Sequence, residues 1–458
     1  RQLATSRGSS PALTFEDQTW SFAQLHERSS RTANALKAAG VGLGDRMALL
    51  TKNCAECFEL MYACNKIGAI FTGLNWRLAP TEIQAIVYDA QPKVIIVSAA
   101  EEALLTDTCR NLTSIKRIVV LGQDFDGWRN AAADSDPGHS GDPDEVALLL
   151  YTSGTTGLPK GVMLTNQAMS FTPRLAAESW GMGADSVNLV AMPMFHIGGC
   201  GYGSSTMTVG GHTILLREVN PARIIEVIAK HKVTHTFLVP TVVQAVLEVP
   251  HVKEADLSSM QLLMYGAAPM GDVLLRRAIE VLRCQFMQAY GMTETAGHFA
   301  LRRLFPHPEP SYTPSPGLEI SIEFDSDSDQ EFSPESNPES QEQPHNPPTG
   351  PLIIRGPVTN QEPLRTREIV RLNPLDGTFE WLGRADLTIQ SGGHTLLIDE
   401  LEAQIRQKSG DYPELSWLLS PQWYLAPLQD PVWGEQVALC LPMSLLETLP
   451  EAPLRPDI

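Results

Sequence analysis

Eleven consecutive residues, Tyr151-Thr-Ser-Gly-Thr-Thr-Gly-Leu-Pro-Lys-Gly, hold a dense set of chemically useful groups. Thr152, Ser153, Thr155 and Thr156 supply four hydroxyls with backbone amides between them. Gly154, Gly157 and Gly161 permit tight turns and close approach of a ligand to the main chain. Lys160 adds one cation. Amides and hydroxyls can wrap phosphate oxygens while the ammonium neutralises charge, so the stretch predicts a polyphosphate loop. Val146-Ala-Leu-Leu-Leu, directly before it, reads as an apolar strand. The G-x-x-x-x-G-K-[ST] pattern does not apply, because Gly161 follows Lys160. A loop rich in Ser, Thr and Gly is usually only a loop; this one stands apart by its order over eleven residues behind a strand.

Further groups recur downstream. His196 sits in Met192-Pro-Met-Phe-His-Ile-Gly-Gly, and three small residues sit in Tyr265-Gly-Ala-Ala-Pro-Met. The ring of Tyr290 and the carboxylate of Glu294 share Gln288-Ala-Tyr-Gly-Met-Thr-Glu-Thr. Gly383-Arg-Ala-Asp and Ser391-Gly-Gly-His follow. A lone His or Tyr is more often structural than functional. Together and in this order, the motifs resemble the adenylate-forming superfamily of acyl-CoA synthetases, nonribosomal-peptide adenylation domains and luciferases. The resemblance runs from about residue 10 to the end of the chain and favours the acyl-CoA synthetase branch.

That resemblance implies a division of labour. Thr152, Ser153, Gly154, Thr155, Thr156, Gly157 and Lys160 would bind the phosphates of ATP. Gly266, Ala267 and Ala268 would let adenine lie against backbone, with Tyr290 and Gly291 beside it. Thr293 would touch the α-phosphate, and Glu294 would hold Mg2+, a hard cation that takes oxygen ligands. His196 would stand by the reacting carboxylate and the thiol entry route. Gly198, Gly199, Gly201 and Gly203 would leave room for a long acyl chain or an aryl ring. Arg384 would contact ribose or phosphate, Asp386 would be a hinge, and the loop with Gly392 and Gly393 would line the pantetheine tunnel. The catalytic set is then Lys160, His196, Thr293, Glu294 and Arg384.

The implied reaction is acid–thiol ligation. A carboxylate attacks the α-phosphorus of ATP, pyrophosphate leaves, and coenzyme A takes the acyl group from the adenylate. Amino-acid-activating relatives place an Asp where this chain has Phe195-His196, so an amino-acid substrate is disfavoured. A fatty acid leads, and an aryl or o-succinylbenzoate-type acid follows.

Three departures accompany the resemblance. Glu368 occupies the slot of the family's ribose-gripping Asp. The block between Ile353-Ile-Arg-Gly-Pro and Thr366 is shortened. The family's lid ends in a Gly-Lys motif, whereas no Lys follows Lys408 here. With the start at Arg1, this leads to an expectation of a truncated chain with weak adenylation, or of a non-catalytic relative.

Apolar strands alternating with amphipathic helices must position these groups. Leu13-Thr-Phe, Met47-Ala-Leu-Leu, Ala69-Ile-Phe-Thr, Val94-Ile-Ile-Val and Thr236-Phe-Leu-Val-Pro read as strands. Residues 53 to 66 and Thr81 to Asp89 read as helices. Ser21 and Gln24 form a capping-box pattern, Trp20 can staple onto Leu25, and Gly40 supplies a stop. The fold class is α/β. Residues 1–385 are expected as a large domain of parallel and mixed sheets flanked by helices, with a β-subdomain. Residues 386–458 are expected as a small, incomplete α+β lid. Residues 321–350 read as an acidic low-complexity insertion, with eight acidic residues, five prolines and no Lys or Arg.

Composition narrows the partners. The 458 residues carry 53 acidic against 34 basic side chains, a net charge of -19. Such a balance opposes sequence-independent binding of nucleic acid. No apolar run is long enough to cross a membrane as a helix. Seven scattered cysteines and the lack of a signal-peptide pattern suggest a reduced, cytoplasmic setting. Cys54 and Cys57 form a C-x-x-C, but with no second pair at zinc spacing they read as small packed residues.

Overall fold

The computed structural model describes residues 1–152, 159–323, 347–359, 362–385, 387–391, 394–409, 423–430 and 434–440. They form two compact units. One comprises residues 1–318 and 355–362; the other comprises the described parts of 319–354 and of 363 onward.

The first unit holds two large sheets. In the six-stranded sheet the spatial order is Arg117–Leu121, Val94–Ser98, Arg46–Leu50, Ile70–Leu74, Val146–Thr152 and Lys160–Thr165. All neighbours run parallel except the last pair, which is an antiparallel hairpin. In the nine-stranded sheet six adjacent strands, from Gln285–Met292 to Pro11–Phe15, run parallel, and antiparallel strands close both edges. The parallel strands are buried on both faces, which is why they read as nearly continuous apolar runs.

Alternation assigns side chains to two cores. Val190 and Leu215 join Met47, Leu49, Phe58 and Phe71 in a core shared by the two sheets. Leu189 and Ile214, one residue earlier, face a second core beneath the helices Pro221–His231, Pro240–Leu247 and Asp272–Leu282. The helix Phe22–Ala38 begins with the predicted box: the Gln24 amide donates to Ser21 Oγ, and the Ser21 amide donates to the Gln24 side chain at 2.9 Å. Cys54 and Cys57 are free and buried with Sγ atoms 3.8 Å apart, and Cys57 belongs to the shared core. They pack as the sequence suggests.

The second unit contains a four-stranded sheet ordered Glu319–Ile322, Thr349–Arg355, Leu364–Leu372 and Phe379–Arg384. A second sheet, ordered His394–Leu397, Thr388–Ser391, Gly434–Cys440 and Tyr424–Asp430, accompanies the helix Ile398–Ser409. Within the expected insertion, residues 321, 322, 349 and 350 are strand residues on neighbouring strands. Residues 324–346, which hold most of its acidic groups, lie outside the described residues.

Candidate active site

The hairpin Val146–Thr152 and Lys160–Thr165 flanks both ends of the expected phosphate loop. Thr152 pairs with Lys160 and Tyr151 with Gly161 across the ladder. Tyr151 Oη donates to Asp89 Oδ2 at 2.5 Å, which ties the hairpin to the helix Pro80–Ala90. Lys160 is exposed. Ser153, Gly154, Thr155, Thr156 and Gly157 lie outside the described residues.

The strand Lys160–Thr165 packs beside the short turn Thr293–Thr295, which follows the strand Gln285–Met292. Thr295 is fully buried and organises this turn. Its hydroxyl accepts the Met292 amide at 3.2 Å and reaches the carbonyls of Gly297 at 2.8 Å and Met292 at 3.0 Å. Thr293 and Glu294 are half-buried on it. Gly291 is required here, because a Cβ would lie 1.9 Å from the Gly297 carbonyl oxygen. Among the described residues no group of three or more His, Cys, Asp or Glu side chains forms a metal cage. Glu294 offers a carboxylate oxygen, the donor type that a hard cation such as Mg2+ takes.

Tyr290 is half-buried within a cluster of rings, with Phe299 centred 5.0 Å away and Tyr312 5.2 Å away, both tilted to it. The adjacent strand Leu262–Gly266 ends in the small-residue turn. Gly266 faces the Ala289 carbonyl, which would lie 2.5 Å from an added Cβ. Ala267 adopts φ of 66°, a left-handed conformation rare for a residue with a side chain. Such outliers concentrate at functional sites. Ala267 and Ala268 are exposed.

The segment Met192–His196 is held by residues that the sequence analysis did not single out. Asn53, 4% exposed, donates from Nδ2 to the carbonyls of Met192 at 3.0 Å and Leu216 at 2.9 Å. Its Oδ1 accepts the Met194 amide at 2.9 Å. Gly73 lies against the same segment, since a Cβ there would come within 2.9 Å of Phe195 Cα. His196 occupies the N-cap of the helix Ile197–Thr208 without a side-chain capping bond, and its ring is 4.5 Å from that of Phe195. The residue is open to solvent, but its ring is crowded by its neighbours. Partial loss of hydration, followed by the charge of Arg77, lowers the imidazole pKa below the usual histidine value.

The glycines after His196 do not create the expected room. An added Cβ would meet the Pro193 carbonyl at 2.1 Å from Gly199 and Ile197 Cδ1 at 2.8 Å from Gly201. From Gly203 it would meet Phe58 at 2.9 Å, and from Gly198 it would meet Phe237 at 3.2 Å. The volume they vacate is occupied by protein, so these glycines serve helix packing. The helix still adjoins the Glu294 turn, because a Cβ added at Gly201 would lie 3.8 Å from the Ala296 carbonyl oxygen.

In the second unit, Glu368 and Arg384 are opposite each other on antiparallel strands. Glu368 is 8% exposed; Oε2 accepts Trp381 Nε1 at 2.6 Å and Oε1 accepts the Arg384 guanidinium at 3.2 Å. Trp381 is a partner that sequence spacing gives no reason to expect. Asp386, Gly392 and Gly393 lie outside the described residues.

Residues 1–361 match the family model described as AMP-binding enzyme. The fatty acid–acyl-carrier-protein ligase ScoC of Streptomyces coeruleorubidus is 33% identical over 292 residues, covering 62% of this chain and 56% of the relative. The chain thus aligns with little more than half of that relative's length. A feruloyl-CoA synthase of Amycolatopsis is 30% identical over 433 residues, covering 90% of this chain and 82% of the relative. The ATP-bound structure of MatB from Rhodopseudomonas palustris superposes with a TM-score of 0.78 at 23% identity, covering 94% of this chain and 85% of that one. That similarity establishes the α/β fold with its mixed sheets.

Proposed function

This chain belongs to the AMP-binding enzyme family, and on that premise we propose that it is an ATP-dependent acid–thiol ligase. A carboxylate oxygen attacks the α-phosphorus in line, and the bond to pyrophosphate breaks. The thiolate of coenzyme A then attacks the acyl carbon and AMP leaves. The carrying observation is the adjacency of the Thr152–Lys160 hairpin to the turn that bears Thr293 and Glu294. It supports one site for phosphate and for charge neutralisation.

Lys160 neutralises phosphate charge, Tyr290 and the turn at Gly266–Ala268 receive adenine, and Thr293 contacts the α-phosphate. Glu294 holds Mg2+, which would offset phosphate charge when bound. His196, held below its ordinary pKa, is neutral at pH 7 and can accept or donate a hydrogen bond beside the acid. Relatives named for a fatty acid and for ferulic acid support a hydrophobic acid, aliphatic or aryl.

The test is ATP-dependent hydroxamate formation across a panel of carboxylic acids, with CoA-thioester formation from a supplied acyl-adenylate measured in parallel. Acid-dependent product is expected, with Lys160→Ala lowering kcat/KM for ATP by about 10²-fold or more, as loss of a charge-stabilising group does. A folded protein that yields no product in either half-reaction overturns the reading.

A further inference from the structure

The last turn of the helix Pro80–Ala90 carries an acid where a helix does not favour one. A helix C-terminus disfavours negative charge, and this last turn holds no basic side chain of its own. Asp89 is exposed there, so burial gives no reason for it either. Its contact does. Oδ2 accepts the hydroxyl of Tyr151 at 2.5 Å, a bond strengthened by the charge of the acceptor. Burial, followed by the bond to Asp89, pushes the Tyr151 pKa well above its ordinary value, so the phenol remains a donor near neutral pH.

Both partners of that bond are themselves held. Arg46, at the start of the strand Arg46–Leu50, donates to the carbonyls of Ala90 at 2.7 Å and Gln91 at 3.3 Å, which anchors the end of the helix. Tyr151 is half-buried and pairs with Gly161 across the hairpin. Its ring lies against that glycine, where an added Cβ would come within 3.3 Å of Cζ. One step further along the ladder, Thr152 pairs with Lys160. A chain of contacts thus runs from Asp89 through Tyr151 to the residues that flank the loop. Building on the acid–thiol ligase reading, in which Thr152 and Lys160 meet the phosphates of ATP, we propose that Asp89 is a positioning residue for ATP. Acting through Tyr151, it fixes the end of the hairpin against the helix and so sets where the Thr152 hydroxyl and the Lys160 ammonium stand. Displacement of a binding group by about 1 Å is enough to cost on the order of 10²-fold.

Calorimetric titration of the full chain with Mg-ATP reads the effect. Asp89→Ala and Tyr151→Phe, the latter keeping its ring beside Gly161, should each weaken ATP binding by about 10-fold. The double variant should be no weaker than either single one, since both remove the same bond. Asp89→Asn, whose amide oxygen still accepts a hydroxyl, should restore most of the affinity. CoA-thioester formation from a supplied acyl-adenylate should keep its rate in every variant, because that substrate lacks the β- and γ-phosphates. A merely structural role would slow it along with ATP binding; circular dichroism checks folding. Unchanged ATP affinity in Asp89→Ala and Tyr151→Phe overturns the proposal. So do additive losses in the double variant, or equal losses in ATP binding and in thioester formation. ATP binding that falls as expected in a chain that forms no thioester leaves the positioning role standing and removes the ligase.

Discussion

Asn53 uses both ends of its amide to hold the segment that presents His196. Its three bonds reach Met192, Met194 and Leu216, more than a hundred residues away in sequence. Asn53→Ala would leave two carbonyls and one amide unpaired in the interior. An unsatisfied buried group costs roughly 1–3 kcal/mol, so a loss on the order of 3 kcal/mol is expected after partial relaxation. The denaturation midpoint in urea measures it, and a drop below 1 kcal/mol would show the segment to be held by other contacts. KM for the acid should rise in the same variant, because the segment bearing His196 loses its tether. No local pattern points to Asn53; its role exists only once the two sheets are assembled.

At the level of elements, the helix Ile197–Thr208 starts on a poor cap. His196 has the extended dihedrals of an N-cap, φ of -114° and ψ of 150°, but makes no capping bond. Ser, Asn and Asp at such positions satisfy an amide of the first turn. His196→Ser is therefore expected to raise stability by about 0.5–1 kcal/mol while lowering kcat of the ligase reaction. Thermal unfolding and turnover on one preparation test the pair, and a destabilised variant would assign His196 a packing role. The same elements show what the chain reveals locally. The Ser21 capping box, the helix Pro80–Ala90 and the strands Arg46–Leu50 and Val94–Ser98 were legible, because caps, turns and apolar runs are short-range signals. The strand Lys160–Thr165 was not, since its burial pattern of mixed exposed and buried residues reflects an edge position. The glycines after His196 were read as open space, because sequence reports a missing side chain but not what fills its place.

For the molecule as a whole, acid should act through neutral histidines that are wholly or partly buried. His298 is held down to about 4 by burial, against about 6.5 in the unfolded chain. Between those values the unfolded state binds a proton that the folded state does not. Stability therefore falls as pH drops from about 6.5 to about 4 and is unaffected by this group above 6.5. The full effect is about 3 kcal/mol for His298. His212, also held near 4 by burial and then by the charge of His231, steepens the same window. Urea unfolding at several pH values should show this slope, and His298→Gln should flatten it. A slope that His298→Gln leaves unchanged would place the acid sensitivity elsewhere.

The contacts at Asn53 and Gly73 set a rule for exchange between relatives. Both residues come from the six-stranded side of the first unit, and both grip a segment that emerges from the nine-stranded sheet. Anyone grafting a different Met192–His196 segment onto this scaffold, on the proposed reading that it borders the acid, moves only half of a mated joint. A donor segment shaped for a bulkier residue at position 73, or for a partner other than an amide at position 53, would seat out of register however well its own residues were chosen. The transferable module is thus discontinuous in sequence: Met192–His196 travels with residues 53 and 73, or its geometry does not travel at all.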